Sequence, residues 1–394
     1  MSGVVIQADS STDQALAEHV RGIAILLDSA PRTWTSMEEI NLRLTRRLTA
    51  LGIRVVLVYA EELPRELDRR MREGGAAIAV APYDKDRVRF YRQLRQIFKV
   101  HAVSMVHVCF FDYFSLVPWL TRLAGVRRIV YEELNSGMLN ATSWKKRLLQ
   151  LRTNVTTLPM TRVIAVSHFV KQDLIKRGIS GARIVVRHLG ADATRFRPDP
   201  AARQRWAAEY SIQPGELIMS SVTLLRPFKS PETLIEACGV LARRGIPARL
   251  FVAGDGAMLN DLKDLSRRLG TEDRICWLGF CSDPTNLMQA SDVFLLASVG
   301  EAGGFVLSEA MGCGVPIVGS RSGVISECVE EGRTGLLARP QDPASFADAI
   351  ATLAADESLR REMSTRSRAR MLERFTVDIN VAGTLAVYAS VCAD

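Results

Sequence analysis

The 394-residue sequence lacks an apolar run long enough to cross a bilayer. Its longest uncharged apolar stretch, residues 102–111, falls far short of the ~20 residues that a membrane-spanning helix needs. The first twenty residues hold three acidic side chains and no apolar segment of the kind found in a secretory signal. These two absences predict a cytoplasmic protein without a transmembrane anchor.

Cysteine and histidine are scarce and dispersed. The seven cysteines stand singly in apolar segments, and an odd, scattered set is typical of reduced, buried thiols rather than of a disulfide framework. The five histidines form no close-spaced set with cysteine, so the spacing of a zinc site is missing. Asp84-Lys85-Asp86 resembles a cation-binding DxD pattern, but a polar turn is the simpler interpretation. We therefore expect no metal and no bound cofactor.

Positive charge is concentrated in the first half of the chain. Residues 1–197 contain 31 Lys and Arg against 18 Asp and Glu, whereas residues 198–394 contain 20 against 25. The basic side chains cluster in two helical stretches, 85–99 and 144–152. The asymmetry predicts an anionic partner, for which an anionic acceptor or membrane surface is one interpretation and two solvated helix faces are another. Nucleic acid is a third interpretation, but no nucleic-acid motif accompanies the charge.

Short β-branched apolar runs alternate with amphipathic segments along the whole chain, seven of them before residue 190 and six after residue 216. Continuous apolar strands separated by helices indicate parallel sheets that are covered on both faces. Pro198-Asp199-Pro200 interrupts this alternation. The sequence thus predicts an α/β protein with two Rossmann-like, doubly wound domains, 1–197 and 198–375, which bind a ligand in the cleft between them.

The segment from Asp292 to Val318 is the most informative part of the sequence. It predicts a strand, a Gly-rich loop, a short helix from about Phe305, and a second strand. Gly303 and Gly304 allow the backbone to approach a ligand closely. The start of the following helix presents unpaired N–H groups and a partial positive charge, which together favour a phosphate.

Two carboxylates, Glu301 and Glu309, flank this predicted phosphate site. A phosphate would repel them unless they accept hydrogen bonds from hydroxyl groups of the same ligand. A nucleoside diphosphate sugar has hydroxyl groups on both sides of its phosphates. The alternative is that Glu301 is an ordinary loop residue and Glu309 an acid stabilised by the helix dipole.

The Glu301-to-Glu309 segment resembles the E-x7-E signature of the retaining glycosyltransferases of family 4, which have the GT-B fold. Further segments resemble other motifs of that family in the expected order: Val166-Ser167, Gly190-Ala191-Asp192 with Phe196-Arg197-Pro198, Thr223 to Lys229, Gly254-Asp255-Gly256, and Gly323 to Glu327 with Gly332 to Gly335. The resemblance covers about residues 160–375 well and the first 160 in outline. It implies a final helix, 376–394, that packs back onto the first domain.

The resemblance also implies roles for particular residues. Arg226, Lys229 and Glu301 would be the catalytic residues, the first two on the donor diphosphate and the third facing the donor sugar. Glu309 would bind the ribose hydroxyls. The remaining donor-binding residues implied by the family pattern are Gly303, Gly304, Phe305, Gly254 and Gly256.

In the reaction that the resemblance implies, a sugar passes from a UDP- or GDP-linked donor to an acceptor hydroxyl, with retention and without a metal. The departing phosphate would take the acceptor proton, so no Ser-His or paired-acid site is needed. The acceptor would be an anionic saccharide or glycolipid of cell-envelope synthesis. The protein would then be cytoplasmic, and peripheral on the inner face of the membrane if the basic stretches bind lipid.

The first half departs from the family pattern at two loops. The loop after the first predicted strand lacks the usual Gly-Gly, and the usual histidine after the strand at 128–131 is missing. The sequence offers instead four candidates for acceptor or sugar contacts, for which surface or packing roles are equally open: Arg32, Trp34, Glu133 and Asn135. His107 and His188 are expected at strand ends facing the cleft, where a hydrogen-bonded structural role is the simpler interpretation.

Three other interpretations are compatible with parts of this pattern. A nucleotide-sugar epimerase of the same fold would act without an acceptor, but its usual acids and histidines in the first half are missing. A two-lobed solute-binding protein would be exported, and a signal sequence is missing. Loss of activity is the third, because of the departures in the first half.

Overall fold

A computed structural model describes residues 10–83, 86–111, 115–135 and 152–393. The chain divides into two compact units, Met1–His188 with Val377–Asp394, and Leu189–Thr376. Within the described residues, no helix is both long enough and apolar enough to cross a membrane.

The first unit is built on a seven-stranded parallel sheet with the strand order β3-β2-β1-β4-β5-β6-β7. Its strands are Gly22–Leu27 (β1), Arg54–Tyr59 (β2), Ala76–Val80 (β3), Met105–Cys109 (β4), Arg128–Glu133 (β5), Arg162–Ala165 (β6) and Ile184–Val186 (β7). The central strands are buried along their whole length, β1 and β4 among them. Burial of both faces explains why they are continuous apolar runs in the sequence.

Helices cover this sheet. The helices of the first unit are Ser10–His19, Ser36–Ala50, Arg65–Glu73, Arg87–Val100, Val117–Leu123, His168–Lys176 and Val377–Ala393, together with helical residues 152–157. The last of them packs against Ser10–His19 and Ser36–Ala50, although more than 320 residues separate it from both. The first unit therefore contains both ends of the described chain.

The second unit has a six-stranded parallel sheet with the order β10-β9-β8-β11-β12-β13. Its strands are Leu217–Val222 (β8), Ala248–Ala253 (β9), Ile275–Gly279 (β10), Val293–Leu296 (β11), Ile317–Ser320 (β12) and Gly335–Ala338 (β13). Its helices are Ala202–Glu209, Pro231–Arg243, Leu259–Leu269, Thr285–Ala290, Phe305–Gly312, Ile325–Cys328, Pro343–Ala355 and Glu357–Arg374. The prediction of two doubly wound parallel sheets is confirmed.

The predicted boundary at residue 197 differs from the division that the structure makes at residue 188. Phe196 is fully buried in the core of the second unit, beside Met311 and Met371. The Arg368 guanidinium also donates to the carbonyl oxygens of Ala193, at 2.9 Å, and Phe196, at 2.6 Å. Residues 189–197 thus fold with the second unit, because their apolar and backbone contacts lie there.

Candidate functional site

The predicted donor residues lie at the point where the strand order of the second sheet reverses. Strands β8 and β11 are neighbours in this sheet but are separated in sequence by β9 and β10. Lys229 follows β8, and Glu301 follows β11, so both lie at the carboxyl edge beside the reversal. In open parallel sheets this is where ligands bind, because the loops diverge and leave a crevice.

Backbone hydrogen bonds join the loops at this edge. The Val299 amide donates to the Phe228 carbonyl oxygen at 2.9 Å, which ties the loop after β11 to the loop after β8. The Gly300 amide donates to Ser322 Oγ at 2.9 Å, which ties it to the loop after β12. The loops after three adjacent strands therefore form one connected surface.

Lys229 and Glu301 form an ion pair on this surface. Lys229 Nζ lies 2.6 Å from Glu301 Oε2, and the two side chains are only 15% and 11% exposed. Arg226, three residues before Lys229, is exposed. The structure thus brings together two of the three predicted catalytic side chains and leaves the third at the surface of the same loop.

Ser230 fixes the position of Lys229 through an unusual backbone conformation. It has φ 47° and ψ 45°, in the left-handed region, and it is completely buried. A non-glycine residue in this region costs about 1–3 kcal/mol and persists only where the surroundings impose it. It joins the helical turn Pro227–Lys229 to the helix Pro231–Arg243, so Lys229 is held at a rigid junction.

The helix Phe305–Gly312 begins where the Gly-rich loop predicts it. Gly304 is its N-cap, with φ 60° and ψ 48°. A β-carbon at this position would press against the side chains of Leu307 and Val324. Glycine is therefore required there for both conformation and space. The first two amides after it, those of Phe305 and Val306, have no partner within the helix, whereas the Leu307 amide donates to the Gly304 carbonyl oxygen at 2.9 Å.

Glu309 lies one turn into that helix and is partly buried. Its carbonyl oxygen accepts the Cys313 amide at 3.1 Å. Burial, followed by the negative charge of Glu309, raises the pKa of the Cys313 thiol to about 12. Cys313 is therefore a protonated, unreactive thiol at neutral pH.

Gly254 and Gly256 have a packing reason to be glycine. A β-carbon at Gly254 would clash with the Thr223 carbonyl oxygen, and one at Gly256 with the Leu225 carbonyl oxygen. The amide of Leu225 also donates to the Asp255 carbonyl oxygen at 3.0 Å. The loop after β9 thereby lies directly against the loop that carries Arg226.

The four candidates for acceptor or sugar contacts in the first unit differ in their surroundings. Trp34 donates through Nε1 to Glu39 at 3.2 Å, and the Arg70 guanidinium stacks 3.5 Å from the centre of its ring, which is a packing role. Glu133 is buried at the end of β5, and its Oε1 accepts the Asn135 amide at 3.0 Å. The two exposed candidates are Arg32 and Asn135.

His107 is not at a strand end, as the sequence suggested, but inside β4, where it is buried. His107 Nδ1 lies 2.8 Å from the Tyr388 hydroxyl oxygen, and Nε2 lies 3.1 Å from Glu132 Oε2. The other Glu132 oxygen accepts from the buried Arg187 guanidinium. Burial would raise the pKa of Glu132, but Arg187 and His107 together lower it to about 2. We call these four residues the buried charge network.

Among the described residues, His107, Cys109 and Glu132 are the one group of three whose ligand atoms lie within reach of a shared metal ion. Their environment favours a structural role instead. Glu132 is already paired with Arg187, and burial raises the pKa of the Cys109 thiol well above its ordinary value. A metal on these atoms would have to replace the contact between His107 Nε2 and Glu132 Oε2 and deprotonate that thiol.

His188 and Asp86 also have structural surroundings. The ring of His188 lies 5.8 Å from that of His168, and its carbonyl oxygen accepts from Asn380 at 2.8 Å. Asp86 caps the helix Arg87–Val100 by accepting the Arg89 amide at 2.9 Å. The other two residues of the DxD pattern, and positions 144–151 of the second basic stretch, lie outside the described residues.

Neither the buried charge network nor the contact between Lys229 and Glu301 was predicted from the sequence. Lys229 and Glu301 are 72 residues apart, and Arg187 and Glu132 are 55 apart. No local spacing marks such pairs. The one signal available was a charged residue inside an otherwise apolar strand, as at Glu132.

Two family sequence models match successive parts of the chain. The model described as "Glycosyltransferase Family 4" matches residues 37–195, and the model described as "Glycosyl transferases group 1" matches residues 202–370. Together they span both units.

Curated relatives match over a shorter stretch. N-acetyl-alpha-D-glucosaminyl L-malate synthase of Bacillus anthracis is 34% identical over 186 residues, which are 47% of this chain and 49% of the relative. D-inositol 3-phosphate glycosyltransferase of Nocardia farcinica is 35% identical over 200 residues, which are 48% of this chain and 44% of the relative. The chain thus aligns with about half the length of each.

Solved structures share the fold over nearly the whole chain. HepE from Anabaena, crystallised with UDP and glucose, superposes with a TM-score of 0.79 at 20% identity and covers 94% of this chain and 100% of its own. Sucrose-phosphate synthase from Thermosynechococcus elongatus superposes with a TM-score of 0.77 at 19% identity, covering 95% and 99%. With its two parallel-sheet units and both family matches, the chain belongs to family 4 of the glycosyltransferases, which have the GT-B fold.

Proposed function

We propose that this protein is a retaining glycosyltransferase that moves a sugar from a nucleoside diphosphate donor to an acceptor hydroxyl. The observation that carries the proposal is the position of Lys229, Glu301 and the start of the Phe305–Gly312 helix on one connected surface at the strand-order reversal. A cation and the first amides of a helix at the same edge of the sheet favour a diphosphate. A labelled nucleotide sugar tests the reaction: transfer requires an acceptor, whereas an epimerase would release altered sugar without one.

The donor is proposed to be linked to UDP or GDP. HepE, whose fold this chain shares, was crystallised with UDP and glucose and also with UDP-glucose. Glu309 is the group proposed to bind the ribose hydroxyls, because it is partly buried and lies one helical turn beyond the predicted phosphate site. A carboxylate at that distance can accept hydrogen bonds from two vicinal hydroxyls without facing the phosphates.

Glu309→Ala is expected to weaken nucleoside diphosphate binding by about 10-fold to 100-fold, because charged hydrogen bonds to the ribose are worth ~1.5–3 kcal/mol. Isothermal titration calorimetry with UDP and GDP measures this change. The matched control is Glu362→Ala, on the helix Glu357–Arg374, where the side chain is half exposed and pairs with Arg366. An affinity equal to that of the wild-type protein would contradict the ribose role.

Positive charge at the donor site is proposed to stabilise the departing diphosphate. Lys229 and Arg226, with the amides after Gly304, would meet the charge that develops on the leaving oxygen. Since these groups can supply the electrostatic stabilisation, we propose a metal-independent reaction without a cofactor. The leaving phosphate would accept the proton of the attacking hydroxyl on the same face, which gives retention.

The acceptor is proposed to be an anionic saccharide or glycolipid of the cell envelope, bound by the first unit at a membrane surface. The helix Arg87–Val100 exposes four basic side chains, Arg89, Arg92, Arg95 and Lys99, and exposes Val88 as well. Tyr91 on this helix donates to the Leu123 carbonyl oxygen at 3.4 Å, and Leu123 itself is 67% exposed. Basic and apolar side chains on one surface favour an anionic leaflet.

Changing Arg92, Arg95 and Lys99 together to Gln is expected to weaken binding to anionic vesicles by roughly 100-fold, since each basic residue contributes ~1 kcal/mol near such a surface. Sedimentation with vesicles of phosphatidylglycerol, compared with phosphatidylcholine, measures the change. A matched control removes three exposed basic residues from the second unit, Lys263, Arg267 and Arg268. Equal sedimentation of the two triple variants, or none of the wild-type protein, would refute membrane attachment.

A further inference from the structure

The ion pair between Lys229 and Glu301 lies at the proposed phosphate site. The two charges lie 2.6 Å apart in a largely buried position. A diphosphate that approaches Lys229 must therefore share it with a carboxylate or displace that carboxylate. Glu301, which the donor sugar would contact, thus competes with the donor phosphates for Lys229.

The loops cannot relieve this competition by shifting, because the backbone on both sides is fixed. The Glu301 carbonyl oxygen accepts the Val324 amide at 2.9 Å. Gly323, with φ 56°, lies so close to the Glu301 backbone that a β-carbon there would clash with it. On the other side, buried Ser230 holds Lys229 at its rigid junction. Relief must come from the ligand rather than from a shift of the loops.

A nucleotide sugar and a free nucleoside diphosphate would differ in whether they give Glu301 a new hydrogen-bond partner. A nucleotide sugar places hydroxyl groups beside its diphosphate, and these can donate hydrogen bonds to Glu301 while the phosphate takes Lys229. A free nucleoside diphosphate has no such hydroxyls and carries one more negative charge at its terminal phosphate. It would leave Glu301 without a partner and facing an anion.

We propose that Glu301 acts as an internal counter-ion that weakens the binding of the free nucleoside diphosphate relative to the intact nucleotide sugar. This inference rests on the proposed function and adds a selectivity role to it. Its consequence is that the product diphosphate leaves more readily, because Glu301 regains Lys229 when the sugar has gone. Glu301 would thus favour turnover as well as contact the sugar.

The test is the affinity of Glu301→Gln for the nucleoside diphosphate. The probe is whichever of UDP, GDP and ADP raises the melting temperature of the wild-type protein most, and calorimetry measures its Kd. We expect the variant to bind this probe roughly fivefold more tightly, which is the scale of one ion pair released from competition. A glutamine has the same size, keeps one acceptor oxygen and removes the negative charge.

The matched control is Glu216→Gln in the same unit. Glu216 pairs with Arg249 at 3.0 Å, and its side chain is also 11% exposed, but the pair lies at the amino edge of the sheet. This variant should lose a similar ion pair and keep the wild-type Kd. If both Glu301→Gln and Glu216→Gln bind the diphosphate more tightly, the cause is the change in net charge, and the proposal is overturned.

A second test, in the Lys229→Met variant, distinguishes competition for Lys229 from simple repulsion between Glu301 and the diphosphate. In Lys229→Met, the Glu301→Gln change should improve binding much less, because there is no cation left to release. Equal improvement with and without Lys229, or no improvement in either, would overturn the counter-ion role. If the wild-type protein binds none of the three diphosphates, the proposed function fails instead. Binding that needs Glu309 but ignores Glu301 refutes this inference alone.

Discussion

Lys229→Ala is expected to slow sugar transfer by about 100-fold, the scale on which one donor to a developing oxyanion contributes. The Lys229 ammonium is the largely buried cation at the proposed diphosphate site. It contacts Glu301, and Ser230 constrains the backbone next to it. A cation fixed in advance stabilises the leaving group without reorganising during the reaction. Steady-state kinetics with the labelled donor should show the loss mainly in kcat.

Two further variants make the Lys229 result interpretable. Lys263→Ala removes an exposed lysine from the helix Leu259–Leu269 and should leave kcat unchanged. Lys229→Arg keeps the charge in a longer, planar group and should recover part of the rate. A decrease of less than about fivefold for Lys229→Ala would mean that Arg226 and the helix amides stabilise the leaving group without it.

Arg187→Met is expected to destabilise the first unit by about 3–5 kcal/mol, the cost of removing one partner from a buried ion pair. Arg187 and Glu132 are both nearly inaccessible to solvent, and Glu132 also contacts His107. Without the guanidinium, a carboxylate would be left charged in an apolar interior. Urea denaturation at pH 7, followed by circular dichroism, measures the shift in midpoint.

The pH dependence of this loss tests its electrostatic origin. In the wild-type protein the pKa of Glu132 is lowered from 4.5 to about 2, so the ionised group stabilises the fold above pH 4.5 and this contribution is lost as the pH falls towards 2. In Arg187→Met, burial should raise the pKa of Glu132 instead. Protonation should therefore remove the buried charge and reduce the destabilisation of the variant as the pH falls. The difference in stability should therefore shrink between pH 7 and pH 4.

An exposed pair in the same unit is the control for Arg187. Arg72 lies 2.7 Å from Asp68 on the helix Arg65–Glu73, with both side chains substantially exposed. Arg72→Met should leave the denaturation midpoint nearly unchanged. A loss in Arg187→Met that does not change with pH would indicate a packing defect rather than an uncompensated charge.

The fold was largely predictable because its main signal is local. A strand buried on both faces, such as β1 or β11, is a continuous apolar run that can be recognised without knowing its neighbours. The helix at Phe305 was equally predictable, because a glycine with a left-handed backbone marks its start. Residues 189–197 were assigned to the wrong unit, since prolines mark a turn but do not show which core Phe196 enters.

The site was predictable only as a set of segments. The Glu301-to-Glu309 spacing and the Arg226-to-Lys229 loop predict a phosphate site, because each combines charge with backbone features that a phosphate requires. The direct contact of Lys229 with Glu301 depends on the order of strands in the sheet, which places β8 beside β11. Likewise, the sequence could not show that Arg187 is the partner of Glu132. The contact depends on the order of β5, β6 and β7 in the sheet, and other arginines were equally possible partners.

The position of the Val377–Ala393 helix in the first unit affects how the chain must be synthesised. A ribosome makes the seven strands of that unit early, but the helix that covers Ser10–His19 and Ser36–Ala50 emerges only near the end. Tyr388, which touches His107, and Leu385 are fully buried in the finished unit. Until translation reaches them, the apolar surface that this helix covers lacks its native partner, which is the condition under which nascent chains associate wrongly.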